Sequence, residues 1–557
     1  MSPVLFGILC IGFLLNSHAI WWGLPLQGSV SWAPDEIFPA TVLKGMNCFF
    51  SSGWHERYPP LHYYFLSIIY LPFVLLHSAG WVDLFSQKTI TLMYICGRFI
   101  SVIMGTATIY LVYRCNRELF DRRAGLYAAL IATLICPVSY YAKIINLEVP
   151  YTFWFVLSLN CFIPVLQYHR LRDYLAFSCC AVLSVCTKDQ AYGLYVGVPV
   201  ILIFIYLKSF HDDGKDGSIR RKMILQNGIL SLVAAVLLFL VIHNAAFNFS
   251  GLVKHFQVIT GAASQNYRMY ANTPQDQLRM AWQTLHHVVF SLGWPFSIMC
   301  FLGFLIPRFR TKQDVILIVM AIFPVTYYFS YIAVVGYTYL RYVIPMSMVL
   351  AMFGGRFLSF LHSHEKKATT LLMHVLLVCI AAGYTYKNFI VSDMMHHDSR
   401  YAAEAWIQKN IPVSASIMGI GMINSLPRMH PDYPFYQIKI FPSIIYQSGD
   451  RPEYLITTSL YGSERLKKFH YEALAFKRLE NNETDYQEVF SYRYVPFLNI
   501  LDIRDIISNL DKINPMIKIY RRSPADKATD KTLSFENRQD FSRGINHLDG
   551  FGLSSGA

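Results

Sequence analysis

Two adjacent carboxylates, Asp35 and Glu36, follow the first apolar segment of the chain. A carboxyl group beside an apolar surface has its charged form disfavoured, which raises its pKa and makes it a stronger general base. We therefore predict Asp35 as a base and Glu36 as a substrate contact. Because Asp35 follows Pro34 and precedes a helical-looking stretch, helix N-capping is an alternative role for Asp35.

The same region continues with charged and aromatic residues directly before Pro59-Pro60. Two prolines followed by an apolar run indicate the start of a helix. Arg57 and Tyr58 would then lie where water meets lipid, so that they can bind a lipid phosphate. An interfacial anchor of aromatic and basic residues is the alternative.

Other cations precede or follow apolar runs, and arginine forms bidentate contacts with phosphate while lysine acts as a point charge. Lys188, Arg268 and Arg341 are candidates for this role, and Tyr267 is a candidate for contact with a sugar or an acceptor. Each of these cations has the alternative role of a side chain at a helix end that extends towards water. Arg98 differs because it lies inside an apolar run, where an arginine needs a partner. We predict a structural pair between Arg98 and a carboxylate of the first loop.

No metal site is assigned. His55, Glu56 and His62 could supply ligands, but they lack the tight spacing of a metal site. The sequence therefore predicts no obligatory cofactor, and a divalent metal is unsupported.

These residues lie between long apolar runs. The chain is 54% hydrophobic and 15% charged, whereas soluble proteins carry about a quarter charged residues. Runs of roughly 18–25 apolar residues match the thickness of a bilayer. We predict a polytopic α-helical membrane protein with about 11 transmembrane helices. The predicted spans are 3–20 (an uncleaved anchor), 89–113, 124–142, 149–167, 173–187, 191–208, 223–246, 287–306, 314–335, 342–361 and 370–386.

Basic residues between the spans set the orientation. A further apolar stretch, 61–76, contains Pro72. If it lies on the outer side as a juxtamembrane helix, all the basic loops lie in the cytoplasm, as the positive-inside rule requires. The net charge of +13 is thus explained by topology and not by nucleic acid. The basic loop residues are Arg114, Arg117, Arg122, Arg123, Arg170, Arg172, Lys208, Lys215, Arg220, Arg221, Lys222, Arg308, Arg310, Lys312, Lys366 and Lys367.

The chain changes character near Asn388. Residues 1–387 form the predicted membrane domain, with a first outer loop at 21–88. Short strand-like runs at 415–419, 454–458 and 516–520 alternate with helical segments such as 401–409, which predicts a small outer α/β domain over 388–523. Residues 524–557 are polar and poor in large apolar side chains, which is typical of a disordered tail.

Five motifs in this order resemble the C-type glycosyltransferase superfamily, especially the branch of protein O-mannosyltransferases and lipid A aminoarabinose transferases. They cover about residues 1–420. The motifs are Asp35-Glu36 with Pro59-Pro60-Leu61, Asn146-Leu147-Glu148-Val149-Pro150, Thr187-Lys188-Asp189, Tyr339-Leu340-Arg341-Tyr342-Val343-Ile344-Pro345, and Asp398-Ser399-Arg400-Tyr401 with Trp406.

The sequence departs from the family pattern at three places. Glu148 stands where the family usually has Asp, so its carboxylate reaches one methylene further. Tyr58 directly precedes the two prolines where the aminoarabinose transferases tend to have Lys, so Arg57 is the candidate for that charge. The 247–286 loop is too short for the β-trefoil insertion of eukaryotic protein mannosyltransferases.

The resemblance implies transfer of a sugar from a polyprenyl-phosphate carrier to a glycan, lipid or protein acceptor, with inversion at the sugar's anomeric carbon. It assigns Asp35 as the base, with Glu148 sharing that work or orienting the acceptor. Membrane lipids are expected partners, and the missing insertion favours a bacterial inner membrane with the active site facing the periplasm.

Two other classes of function stay open. A ligase or polymerase using diphosphate-linked glycans would share the membrane setting. A transporter would place polar sites near the bilayer midplane, often in two related halves, and the sequence shows no such halves. A cytoplasmic nucleotide-sugar transferase is disfavoured because the chain has no Asp-x-Asp motif and no glycine-rich phosphate loop.

Overall fold

The computed structural model describes residues 2–26, 29–208, 215–261, 265, 267–305, 311–364, 367–438, 451–461, 470–503 and 505–523. The predicted tail, 524–557, and the loop residues Arg308, Arg310 and Lys366 lie outside the described residues. The α-helices are α1 Pro3–Ser17, α2 Pro39–Asn47, α3 Leu61–Ser78, α4 Gln87–Leu119, α5 Arg122–Thr133, α6 Val138–Tyr141, α7 Glu148–Tyr168, α8 Leu171–Thr187, α9 Tyr192–Tyr195, α10 Val198–Lys208, α11 Lys215–Ile242, α12 Phe249–Thr260, α13 Pro274–Leu292, α14 Trp294–Leu305, α15 Lys312–Met320, α16 Ile322–Tyr327, α17 Ala333–Val335, α18 Ile344–His364, α19 Lys367–His396, α20 Ser399–Asn410 and α21 His470–Glu480.

Most of these helices are apolar along their length, which confirms a polytopic helical membrane protein. Within the described residues, eight helical segments are long and apolar enough to cross a bilayer. A ninth is obtained if the bent pair α13 and α14 forms one span. The predicted count of 11 is therefore not reached by length and composition alone. The eight segments are Leu61–Ser78, Gln87–Leu119, Glu148–Tyr168, Asp189–Lys208, Gly217–Ile242, Lys312–Val335, Leu340–His364 and Lys367–Asn410.

Some of the predicted spans are interrupted, and for 124–142 and 287–306 the cause is a proline or a glycine. In the predicted span 124–142, α5 ends at Thr133 and the short helix α6 begins at Val138, directly after Pro137. Pro137 has no N–H to donate to the carbonyl of Thr133, so a continuous helix is interrupted at this point. The predicted span 287–306 bends by 109° at Gly293, which has a φ of +85°. A Cβ at Gly293 would lie 2.1 Å from the ring of Tyr384, so only glycine fits this bend.

The C-terminal part, called the outer unit after its predicted location, folds around a five-stranded sheet. Its strands are β1 Ile417–Ile420, β2 Phe435–Ile438, β3 Tyr454–Thr458, β4 Tyr486–Tyr492 and β5 Ile517–Arg522, in the spatial order β2-β1-β3-β5-β4. β1 pairs in parallel with β2 and β3, while β5 is antiparallel to β3 and β4. A small C-terminal α/β unit is present, as predicted.

A segment of this unit returns to the helical part. Leu501, Ile506, Leu510 and Ile513 belong to the same buried cluster as α5, α7 and α18. The N–H of Leu340 donates to the carbonyl of Ile507 at 2.9 Å. The outer unit is thus packed against the chain that precedes α18.

Candidate active site

Asp35 lies in the first loop with its backbone in the left-handed region, at a φ of +61°. A side chain other than glycine adopts that conformation at a cost, and such strain occurs often at functional sites. Nη1 of Arg341 donates to Oδ2 of Asp35 at 2.6 Å, and the Asp35 side chain is 30% exposed. Asp35 is therefore ion-paired with Arg341 and remains partly accessible to solvent.

The pKa of Asp35 shifts in the direction opposite to the one expected from the sequence. Burial alone would raise the pKa, but the Arg341 guanidinium lowers it well below its usual range, helped by Lys512 and Lys188. The pair with Arg341 outweighs burial because an ionised carboxylate accepts a charge-assisted hydrogen bond. Asp35 is thus a carboxylate, not a carboxylic acid, in this state.

Glu148 begins α7 and is fully buried, with no exposed side-chain surface. Its Oε1 forms a short contact with Nζ of Lys188 and lies 3.2 Å from Nε of Arg341, and its Oε2 accepts from Gln190 at 3.2 Å. The Nε atom of Arg341 is not aligned for a hydrogen bond, so that contact is an ion pair. One carboxylate therefore holds two cations side by side.

Lys188 caps the C-terminal end of α8 and is 7% exposed. Burial lowers the pKa of Lys188 to about 8, against the opposing effect of Glu148. Its Nζ also lies 5.5 Å from the centre of the Tyr58 ring. A lysine with this pKa loses its charge just above neutral pH, which makes the site sensitive to alkali.

Aromatic rings surround these cations. The Arg57 guanidinium lies 5.8 Å from the ring centres of both Tyr58 and Tyr267. The Arg341 guanidinium lies 4.8 Å from the ring of Tyr339 and 5.7 Å from that of Tyr342. Faces of aromatic rings stabilise cations and also pack against the apolar faces of sugars. The structure thus groups Asp35, Glu148, Lys188 and Arg341 with Arg57, Tyr58 and Tyr267 beside them.

Glu36 differs from its predicted role as a substrate contact. Nε and Nη2 of Arg98 donate to its two carboxylate oxygens at 2.8 Å, and both side chains are fully buried. The N–H of Ile145 and the hydroxyl of Ser31 also donate to Glu36. Its carboxylate is occupied by the protein, and it provides the acidic partner of Arg98.

Arg268 is likewise occupied. It donates to Gln265, Asn272 and the carbonyl of Val334 at 2.6–2.8 Å. These bonds link the 265–272 segment to the end of α17. We therefore see Arg268 as holding the loop that presents Tyr267.

The outer unit reaches the first loop through Trp32. The guanidinium groups of Arg400 and Arg428 lie 4.2 Å and 4.5 Å from the Trp32 ring centre. Arg400 is paired with Asp398, which accepts from the indole of Trp22 at 2.9 Å. Trp32 precedes Asp35 by three residues in the chain, so these contacts fix the approach to Asp35.

Gln190 and Lys512 are site residues that no sequence motif indicated. Gln190 follows the Thr187-Lys188-Asp189 motif directly, and this adjacency was the available signal. Nothing in the sequence near Lys512 indicates its effect on Asp35, since it comes from the distant outer unit. Among the described residues, no group of three or more His, Cys, Asp or Glu side chains could hold a metal ion.

Comparison with known families bears on this cluster. Residues 93–245 match the family model of dolichyl-phosphate-mannose-protein mannosyltransferases. The predicted resemblance is supported over this stretch of the chain. The matched stretch contains Arg98, Glu148 and Lys188.

Solved structures with some similarity to this chain were also found. The apo oligosaccharyltransferase of Archaeoglobus fulgidus is 14% identical, with a TM-score of 0.47, over 88% of this chain and 73% of that one. ArnT from Cupriavidus metallidurans bound to undecaprenyl phosphate is 11% identical, with a TM-score of 0.47, over 92% and 97%. The arabinofuranosyltransferase AftD from Mycobacteria is 11% identical, with a TM-score of 0.37, over 94% and 40%. No curated protein matches the sequence.

Proposed function

We propose that the protein transfers a sugar from a polyprenyl-phosphate carrier to an acceptor on the outer side of the membrane, with inversion at the anomeric carbon. The main support for this proposal is a cluster of three ion pairs. Arg341 contacts Asp35, and the Glu148 carboxylate contacts both Arg341 and Lys188. A base and two cations next to each other are what such a transfer requires.

The two cations suit the leaving group. When the bond between the anomeric carbon and the phosphate oxygen breaks, its electron pair goes to that oxygen, and a phosphodiester with one negative charge becomes a monoester with more. Cations that bind the phosphate therefore stabilise the transition state more than the ground state. Arg341 and Lys188 supply this charge, and Arg57 extends it towards Tyr267.

Asp35 accepts the proton of the acceptor hydroxyl or amine as that group attacks the anomeric carbon. In the free protein the Arg341 contact makes Asp35 a weak base. Donor phosphate competes for Arg341, and loss of that contact raises the pKa of Asp35 because the cation that most lowers this pKa is withdrawn while burial still opposes ionisation. The base is thus strengthened when donor is bound. Glu148, which is fully enclosed, acts as a positioning residue for Lys188 and Arg341.

Asp35→Asn tests the role of the base. Asparagine keeps the shape and loses the basic oxygen, so we expect turnover of a radiolabelled polyprenyl-phosphate sugar to fall by about 10²–10⁴-fold, while donor binding is retained. Asp83→Asn changes an exposed carboxylate of the same loop and serves as the matched control. Retained turnover in Asp35→Asn removes Asp35 from the role of base.

A cellular experiment can identify the donor sugar and the acceptor. We propose a bacterial inner membrane with a periplasm-facing site, and a glycan, lipid or protein acceptor. Mass spectrometry of envelope lipids and glycoproteins from a deletion strain should show one sugar missing from one acceptor. An unchanged envelope would argue against this function.

A further inference from the structure

The loop between β4 and the segment that returns to the membrane part is unusually apolar at its surface. Val495, Phe497, Leu498 and Ile500 are 75%, 80%, 66% and 52% exposed. Four large apolar side chains in one short loop form a patch of the kind that marks an interaction site in a protein surface. Pro496 is buried, and Leu498 has a φ of +46°, so the loop turns sharply and points its apolar side chains outwards.

The loop is attached to a helix that enters the membrane. The hydroxyl of Tyr386, in α19, donates to the carbonyl of Phe497. Tyr386 stacks on Phe389, whose ring stacks on His18 after the end of α1. The loop is therefore at the level where α1 and α19 leave their apolar segments.

An exposed aromatic band occurs at this level. Trp21 and Phe389 are 45% and 42% exposed, and Phe497 continues the band from the outer unit. Aromatic residues at both ends of membrane helices lie at the boundary between headgroups and acyl chains. A surface continuous with such a band faces lipid rather than water.

We propose that residues 495–500 insert into the outer leaflet of the bilayer and anchor the outer unit to the membrane surface. The chain continues from this loop to Ile507, whose carbonyl accepts from Leu340. Further along, Asn509 accepts from the hydroxyl of Tyr339 at 2.5 Å. The lipid anchor thus fixes the segment that contacts the chain immediately before Arg341. This inference depends on the packing of the loop and not on the proposed transfer reaction.

Photo-crosslinking in native membranes tests the anchor. p-Benzoylphenylalanine replaces Phe497 in one variant and Asn482 in a matched control. Asn482 is an exposed residue before β4, whereas the loop follows the other end of that strand. After irradiation, we expect phospholipid adducts at position 497 and none at position 482 by mass spectrometry.

Three results would overturn the proposal. Crosslinked dimers at position 497 would show that a second copy covers the loop. Absence of an adduct at 497 would show that the loop faces water, and equal lipid adducts at 482 would show that the signal is not specific to the loop. Replacement of Val495 provides the same test if the variant at 497 does not fold, which elution on size exclusion reports.

Discussion

At the residue scale, the charge of Lys188 should make the kinetics with the donor depend on pH. Its pKa of about 8 in the free protein means that it is charged below this pH and neutral above it. A neutral amine does not stabilise a phosphate electrostatically in the ground state or in the transition state. The kcat/KM for donor is therefore expected to fall as the pH increases beyond about 8, through a higher KM and a lower kcat.

Lys188→Arg provides the control for this profile. Arginine stays protonated throughout the measured range, so the rise in KM at alkaline pH should disappear in this variant. An alkaline rise of the same size in Lys188→Arg would assign the titration to another group.

Glu148 should act on the same titration. Its carboxylate raises the pKa of Lys188 against burial. Glu148→Gln removes that support, so the pKa of Lys188 should fall below about 8 and donor affinity should be lost at lower pH than in the native protein. The measurement is donor KM against pH. In the double variant Glu148→Gln with Lys188→Arg, the alkaline change in donor KM should be absent. If that change persists at the lower pH, Glu148 acts through a group other than Lys188.

The sequence predicted the residues that meet at this cluster better than it predicted what each carboxylate does. Asp35, Glu148, Lys188 and Arg341 are recognisable because they sit in motifs at the ends of apolar runs. Asp35 and Glu36 are adjacent in the chain, yet Asp35 faces Arg341 and Glu36 faces Arg98. The left-handed backbone conformation of Asp35 makes the side chains of Asp35 and Glu36 point in different directions. The residue types at these positions do not predict that conformation.

At the element scale, the Glu36–Arg98 pair fastens the first loop to α4. Arg98 also donates to the carbonyls of Ile20 and Trp22 at 2.7 Å, so the chain that leaves α1 is held as well. Removing one member of a buried pair leaves an uncompensated charge and costs about 3–5 kcal/mol. Glu36→Gln should therefore destabilise the protein.

A double-mutant cycle separates this role from substrate contact. Glu36→Gln and Arg98→Gln should be non-additive in thermal stability, with a coupling of about 0.5–3 kcal/mol, because each removes the same interaction. Stability can be followed by the loss of the monodisperse peak on size exclusion after heating. Additive effects on stability would show that the two side chains act independently, and Glu36 would return to consideration as a substrate contact.

The outer sheet shows which strands a sequence can reveal. The predicted runs 415–419 and 454–458 correspond to β1 and β3, which lie inside the sheet, are buried along their whole length and read as largely apolar stretches. The predicted run 516–520 corresponds to β5, in which Lys518 stands between the buried Ile517 and Ile519. β2 and β4 lie at the two edges of the sheet. β4 is largely exposed on both faces, so no alternation of apolar and polar residues marks it in the sequence.

At the scale of the whole molecule, α3 decides the orientation of everything that follows. By length and composition α3 is a candidate span, whereas the distribution of basic loops favours an outer juxtamembrane helix. Contacts at its two ends support the second alternative. Before α3, Arg57 lies beside Tyr267 near the cluster. After α3, Gln87 at the start of α4 donates to the carbonyl of Pro25 in the first loop.

Both ends of α3 therefore lie next to the first loop, which also carries Asp35. A helix that crossed the bilayer would place Gln87 on the side opposite to Pro25. We accordingly expect the loop after α4 to face the cytoplasm and the outer unit to face the other side. Glu118, near the end of α4, is exposed and reports the side on which the loop after α4 lies. Asn482 is exposed and reports the side on which the outer unit lies.

Single cysteines at positions 118 and 482, in a background without the native cysteines, test this topology. A membrane-impermeant maleimide added to intact cells should label position 482 and leave position 118 unlabelled until the membrane is permeabilised. Labelling of position 118, with position 482 protected in intact cells, would mean that α3 crosses the bilayer, because both positions follow α3 and would change sides together. The basic loops would then face outwards, against the positive-inside rule, and the contact between Gln87 and Pro25 would have to be absent from the native protein.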